Sequence, residues 1–164
     1  MGSRVKAVEL TGEDWEPFGW IPVPDTDPRD GTHRLAYEWA DVHVNVIGHT
    51  LDEVTPIDGG LRCDVLYRHD THTQVLMSLD ADAVVAVAPA AVDFSAPDDV
   101  SRVRAFLLHP LEPFVLHRGT WHWGPFPVGA DRVQLFNVQG LRYAEDNASV
   151  DLARKGMSVD VLLA

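Results

Sequence analysis

A single cysteine, Cys63, in 164 residues excludes an internal disulfide, so the fold does not rest on a disulfide scaffold. Basic residues are scarce as well: 13 Lys and Arg stand against 25 Asp and Glu, giving a net charge of −12. A field of that sign repels phosphate backbones and anionic lipid surfaces, which argues against nucleic acid and membranes as partners. It still admits an anionic small molecule, because a bound metal or a few local Arg reverse the sign inside a cleft. No stretch approaches the roughly 18 to 20 continuous apolar residues of a membrane span, and the N-terminal residues lack the apolar core of a signal peptide. A cytoplasmic location is the expectation. Met1-Gly2-Ser3 has the composition of a cloning scar and carries no argument. Repeats and low-complexity tracts are also missing.

What is present fits one globular domain spanning residues 1–164, with 46% hydrophobic and 23% charged residues. The 11 prolines and 12 glycines are spread along the chain, not gathered into a linker. Between them lie short runs of β-branched or alternating character: Val42 to Ile47, Cys63 to His69, Thr73 to Leu79, Ala83 to Ala88, Val103 to Leu108, Pro113 to His117 and Arg132 to Gln139. Helical signals are confined to a turn after Thr11, a start at Pro97-Asp98-Asp99 and a stretch near Ser149 to Lys155. Many short strands at close spacing point to a sandwich or barrel.

Eight histidines are many for this length, and they concentrate in two segments. In Tyr67-Arg68-His69-Asp70-Thr71-His72-Thr73-Gln74, residues 67 and 69 share one face of a strand. A tight turn at Asp70 to Thr73 would bring Gln74 beside His69 in a hairpin. In His117-Arg118-Gly119-Thr120-Trp121-His122, a glycine turn presents His122 at the wall of the barrel. Imidazoles from two separate segments, joined by an amide oxygen, suit a borderline divalent ion such as Zn, Ni, Fe or Mn. Trp121 and Trp123 flank His122 and are expected on the opposite face, packed in the core. Arg68 and Arg118 are expected in salt bridges outside the barrel. His43, His49 and His109 have no spacing partner.

Those two segments resemble the paired motifs of the cupin superfamily, with Tyr67-x-His69-x4-Gln74 as the first and His117-x-Gly119-x-x-His122 as the second. Arg68-His69-x4-Gln74 and Gly119-Thr120-Trp121-His122 are similar to the variants carried by the ureidoglycolate lyase family. So are Leu10-Thr11 to Trp15, Pro17-Phe18-Gly19 and Arg104-Ala105-Phe106-Leu107. The resemblance implies an all-β fold, a cupin double-stranded β-helix or jelly-roll barrel with one or two short helices, its core motifs within residues 60–140. It implies a metal-dependent lyase that splits ureidoglycolate, a small anionic substrate, into glyoxylate and urea. His69, Gln74 and His122 become the ligands of a divalent transition metal, Tyr67 a fourth ligand or acid, and His117 an acid/base group. His72 is a second acid/base candidate, although a solvated loop is its expected setting. Thr32 and His33 match a family segment that reaches the substrate. A homodimer is expected.

The chain departs from the family at Tyr67, where an acidic residue is general, at Ser78 for a proline and at Ala81 for a glycine. A phenol has a reference pKa near 10, so Tyr67 brings different chemistry from a carboxylate. Two other readings therefore stay open: a cupin isomerase or dioxygenase acting on another small oxygenated acid, and a non-catalytic ligand-binding cupin.

Overall fold

The computed structural model describes residues 2–24, 33–38 and 41–163. The described chain is β throughout: β1 (Gly2–Glu9), β2 (Gly19–Trp20), β3 (Val42–Thr50), β4 (Thr55–Ile57), β5 (Gly60–Cys63), β6 (Val65–His69), β7 (Gln74–Ser78), β8 (Ala83–Ala88), β9 (Arg104–Leu108), β10 (Pro113–Leu116), β11 (Trp121–Pro127), β12 (Arg132–Gly140), β13 (Asn147–Asp151) and β14 (Ser158–Leu162). One four-residue helix, α1 (Gly12–Trp15), follows Thr11, whose side chain accepts from the Asp14 amide. Short 3-10 segments stand at Leu51–Glu53, Pro97–Arg102 and Ala153–Lys155. The helical stretch expected over Ser149 to Lys155 is thus mostly the end of β13 and a single 3-10 turn. The Met1-Gly2-Ser3 segment is not idle either, since Gly2 opens β1 and pairs with Ser158 of β14.

The strands form a nine-stranded sheet, ordered β13-β6-β11-β8-β9-β1-β14-β5-β4, and a five-stranded sheet, ordered β2-β10-β7-β12-β3. From β6 to β8 and again from β9 to β13 the chain changes sheet at every connection; only β8 and β9 run on as an antiparallel pair. That winding is the expected jelly-roll barrel. It also revises one expectation. β6 and β7 lie in different sheets, so Asp70 to Thr73 is a corner that crosses from sheet to sheet, not the turn of a hairpin.

β8 explains why the two sheets hold together. Its run Ala83–Ala88 is buried on both faces: Ala83, Val85 and Val87 pack with Trp15, Phe106, Phe114 and Leu135, while Val84, Ala86 and Ala88 pack with Leu66, Phe94 and Trp121. A continuous apolar run is what a strand covered on both sides requires. Trp15 closes the first cluster, donating Nε1–H to the Val115 carbonyl at 2.9 Å with edge-on contacts to Phe106 and Phe114.

β11 was hidden in the sequence by Gly124, Pro125 and Pro127. In the fold the register between β11 and β8 shifts between Trp123 and Phe126, so Pro125 falls in an irregularity where no ladder bond needs its missing N–H.

Candidate functional site

The two motif segments are the two corners at one end of the barrel. The first leads from β6 to β7 and the second from β10 to β11, each crossing between the sheets. The Gly119 amide donates to the His69 carbonyl at 2.7 Å and ties one corner to the other. Gly119 sits at φ +77, and a Cβ there would meet Ala90 Cβ at 3.1 Å and Asp70 Oδ1 at 3.2 Å. Both the conformation and the space call for glycine. Thr120 Oγ1 and the His117 amide both donate to the Phe18 carbonyl, which anchors the second corner to the N-terminal segment.

His69, Gln74 and His122 converge as the motifs imply, and all three are buried. The rings of His69 and His122 lie 5.3 Å apart. Gln74 Nε2 donates to Asn137 Oδ1 at 2.8 Å and to Gln139 Oε1 at 3.3 Å, and this turns the amide oxygen the other way. Asn137 and Gln139, on β12, are site residues that no motif announced. His122 Nδ1 lies 3.2 Å from the Thr120 carbonyl, a bond that needs the proton on Nδ1 and leaves a lone pair on Nε2 of the neutral ring.

His72 corrects the sequence reading. It is not a solvated loop side chain but 2% exposed, stacked on His69 with centroids 4.5 Å apart. The corner that carries it is pinned from outside: Glu38 N donates to the Thr71 carbonyl and Thr73 N to the Ala36 carbonyl. On its other side a Cβ at Gly140 would come within 2.7 Å of His72 Nδ1, so the end of β12 leaves just enough room for the ring. His72 Nδ1 lies 3.3 Å from Asp146 Oδ2. Asp146 is brought there because β13 pairs with β6 in a register that sets Asn147 opposite His69. Its carboxylate also accepts from the amides of Asp70 (3.1 Å) and Thr71 (2.9 Å) and from Thr71 Oγ1.

Electrostatics keep the imidazoles neutral. Burial, reinforced by His122 and His72, pushes His69 down to about 3, and burial takes His122 to about 4. Burial also lowers His72, outweighing the attraction of Asp146. For Asp146 burial alone would raise the carboxyl, but the hydrogen bonds from Thr71 and Asp70, together with His72, hold it below its ordinary value.

Three buried atoms here lack any hydrogen-bond partner: His69 Nδ1, His72 Nε2 and Gln74 Oε1. Native folds rarely leave such atoms unsatisfied, and a cluster of them marks a place for an ion or ligand. One ligand atom each from His69, His72 and Asp146 lies within 4.8 Å of the others, a grouping able to hold a metal ion. The donors present, neutral imidazole nitrogens and an amide oxygen, fit a divalent transition ion.

Beside the cluster lies a cavity of about 300 Å³, whose lining includes Tyr67, His69, Gln74, His122, Gln139 and Tyr143. Tyr67 faces it from the same side of β6 as His69, as alternation predicts, and is 42% exposed at its mouth. Neither Lys nor Arg is among the lining residues. His117 lies on a tight cleft shared with His69, His72, Gln74 and His122, is partly exposed, and packs against Trp20 at 5.4 Å. Burial and the neighbouring His33 lower its pKa. His33 is exposed and stacks on the same Trp20 at 5.2 Å; it does not line the cavity. Thr32 lies outside the described residues. Arg68 is outside the barrel as expected, 3.2 Å from Asp70 Oδ1 and 4.6 Å over the Trp121 ring. Trp121 is in the core, but Trp123, next to the irregularity at Gly124, also forms part of the cavity wall.

Fold and site together define a jelly-roll barrel with a buried histidine cluster at one end. The chain belongs to the ureidoglycolate lyase family, whose model matches residues 2–160. No curated protein matches it. Among solved structures it is similar to a dTDP sugar isomerase from Desulfovibrio desulfuricans G20, with 10% identity over 82% of this chain and 85% of that one and a TM-score of 0.49. It is also similar to an oxalate oxidase (14% identity, 80% of this chain and 60% of that one, TM-score 0.43). A third likeness is to an oxalate decarboxylase from Lactobacillus farciminis (12% identity, 74% of this chain, TM-score 0.44), of whose chain it spans 31%. Likenesses this loose carry no chemistry. No helix among the described residues is long and apolar enough to cross a membrane.

Proposed function

We propose that this chain is a metal-dependent carbon–nitrogen lyase that splits ureidoglycolate into glyoxylate and urea, with His69, Gln74 and His122 holding a divalent transition ion, Ni, Zn, Mn or Fe. The observation that carries the reading is the unpartnered pair His69 Nδ1 and Gln74 Oε1, both buried, on side chains that line one cleft with His122, whose Nδ1 bond to the Thr120 carbonyl leaves its Nε2 lone pair free. When bound, the ion supplies Lewis acidity, lowering the pKa of a coordinated hydroxyl and balancing a carboxylate. That charge matters here, because the cavity has no Lys or Arg lining and the chain is strongly acidic.

The remaining chemistry falls to side chains. The reaction removes the substrate's hydroxyl proton, turns that C–O bond into the aldehyde carbonyl, breaks the C–N bond and delivers a proton to the departing urea nitrogen. His117, which reaches the cluster from the tight cleft on the other side of His69, Gln74 and His122 and is kept below its ordinary pKa, is the base. Tyr67, at the cavity mouth, donates the proton that the urea nitrogen needs. Asn45 and Gln139 on the cavity wall give the substrate's amide groups partners.

The test is direct: purified protein is supplied with Ni²⁺, Zn²⁺ or Mn²⁺ and ureidoglycolate, and glyoxylate is followed as its phenylhydrazone. One ion per chain and glyoxylate release abolished in His122→Ala are expected. A chain that binds no ion and releases no glyoxylate rejects the reading. One observation favours a second reading, an isomerase or dioxygenase on another small oxygenated acid: a phenol, Tyr67, stands where the family has a carboxylate. Stoichiometric metal without glyoxylate release would select it.

A further inference from the structure

We infer that His72 supplies an additional metal ligand through Nε2, and that Asp146 is the carboxylate that fixes this ring, not a ligand itself. The inference rests on the metal reading above and assigns roles to two residues that neither motif specifies, His72 at a variable position of the first and Asp146 outside both.

His72 has what a ligand needs. Its ring is 2% exposed and its Nε2 has no hydrogen-bond partner in the protein, so a lone pair is held in a buried site with no donor to meet it. Its Nδ1 faces Asp146 at 3.3 Å, which places the ring proton on that nitrogen and leaves Nε2 free. The stack on His69 sets the two imidazoles face to face, and Gly140 closes the space behind the ring. The ring is therefore fixed from three directions before any ion arrives.

Asp146 is spent as an acceptor. Its Oδ2 meets three donors, Thr71 N, Thr71 Oγ1 and His72 Nδ1, and its Oδ1 takes the Asp70 amide. A carboxylate offers about four lone-pair sites. Coordination by Asp146 would break this set, whereas leaving it intact holds both the corner and the imidazole. A carboxylate bonded to the far nitrogen of a ligand histidine is a recurrent way of orienting the ring and raising its basicity.

The placement also accounts for Tyr67. The family's acidic residue is missing from β6, and Tyr67 is 42% exposed at the cavity mouth. His72 brings a donor to the same cluster from the corner, five residues after Tyr67 and within the span of the first motif, in place of the carboxylate missing from the strand.

Co²⁺ alone is the probe, read by its d–d absorption and by calorimetric titration of wild type, His72→Ala, Asp146→Asn and His122→Ala, with circular dichroism as the check on folding. Asp146→Asn should bind Co²⁺ about 10–100-fold more weakly with an unchanged spectrum, as loss of an outer carboxylate does. His72→Ala should lose at least as much affinity and shift the d–d bands. Wild-type protein labelled with ¹⁵N covers the case in which a variant fails to fold: His72 should show the Nδ1–H tautomer, and its Nε2 resonance should move on adding Zn²⁺. A His72→Ala protein with unchanged affinity and spectrum, beside a His122→Ala protein that has lost Co²⁺, would overturn this inference and leave the metal reading standing. An Asp146→Asn spectrum shifted as by loss of a ligand would overturn it as well. A wild type that binds no Co²⁺ removes both.

Discussion

Gln74 Nε2 donates to Asn137 Oδ1 at 2.8 Å, and this bond decides which end of a buried amide faces the histidines. Asn137 is in turn oriented by its own Nδ2–H to Asn45 Oδ1, also at 2.8 Å, so three amides on three strands form one directed relay. Replacing Asn137 with Leu keeps the volume and removes both bonds. The buried Gln74 amide loses its main acceptor, and urea denaturation should show a loss of about 1–3 kcal/mol, the usual cost of an unsatisfied buried group. Zn²⁺ affinity should fall with it, since Gln74 is then free to turn its nitrogen toward the site. An unchanged affinity would show that β12 does not orient the ligand.

Gly140 gives a sharper probe of the same region. A methyl there would sit 2.7 Å from His72 Nδ1 and 3.0 Å from Cγ, closer than such atoms approach, and the backbone at this point of β12 cannot retreat without breaking its pairing with Val42. Gly140→Ala should therefore displace the imidazole from Asp146. The expected readout is loss of the His72–Asp146 hydrogen bond in ¹⁵N NMR, with weaker Co²⁺ binding. A His72 spectrum like that of wild type would show that the ring has slack.

Gly119 tests how far the two corners depend on one another. Its φ of +77 costs a non-glycine residue about 1–2 kcal/mol, and its amide carries the bond to the His69 carbonyl. Gly119→Ala should lower the unfolding free energy by at least that amount, read from urea denaturation, and loosen His69 at the same time. If stability falls while metal affinity holds, the corner is structural only.

Much of this site was legible in the sequence, and what was not has a physical cause. His69, Gln74 and His122 stand at motif spacings, and period-2 alternation put Tyr67 on the His69 side. His72 was misread because a short polar stretch between two strands looks the same whether it turns back along one sheet or crosses to another; only the second path buries a side chain at the barrel end. Asp146 could not be found at all, because its place is set by the register of β13 on β6 and no local pattern reports a long-range register. β11 was lost to its glycine and prolines, whose tolerance depends on an irregularity in pairing that composition does not reveal.

The neutral histidines give the metal-free protein a defined pH response. His69 and His122 are held at about 3 and about 4, below the ordinary 6.5, so as pH falls through 6.5 the unfolded chain takes up protons that the fold refuses. Stability is therefore full above pH 6.5 and is lost progressively as pH falls toward 4 and then 3. Urea midpoints measured from pH 7.5 down to 5 should decline, and His122→Gln should make the decline shallower. A flat profile in wild type would mean that these rings are protonated inside the fold.

Tyr67 separates acid from ligand. It pairs across the ladder with His122 and lines the cavity on the His69 side, so its hydroxyl is near both the cluster and solvent. Phenylalanine preserves the ring and its packing and removes only the O–H. If the phenol is the acid that protonates the urea nitrogen, Tyr67→Phe should lower kcat for glyoxylate release on the order of 100-fold, the low end for a general acid, because water reaches this exposed mouth and substitutes in part. Zn²⁺ affinity should stay at the wild-type value. A fall in Zn²⁺ affinity would make Tyr67 a ligand instead, and a variant unchanged in both would leave the proton to come from solvent.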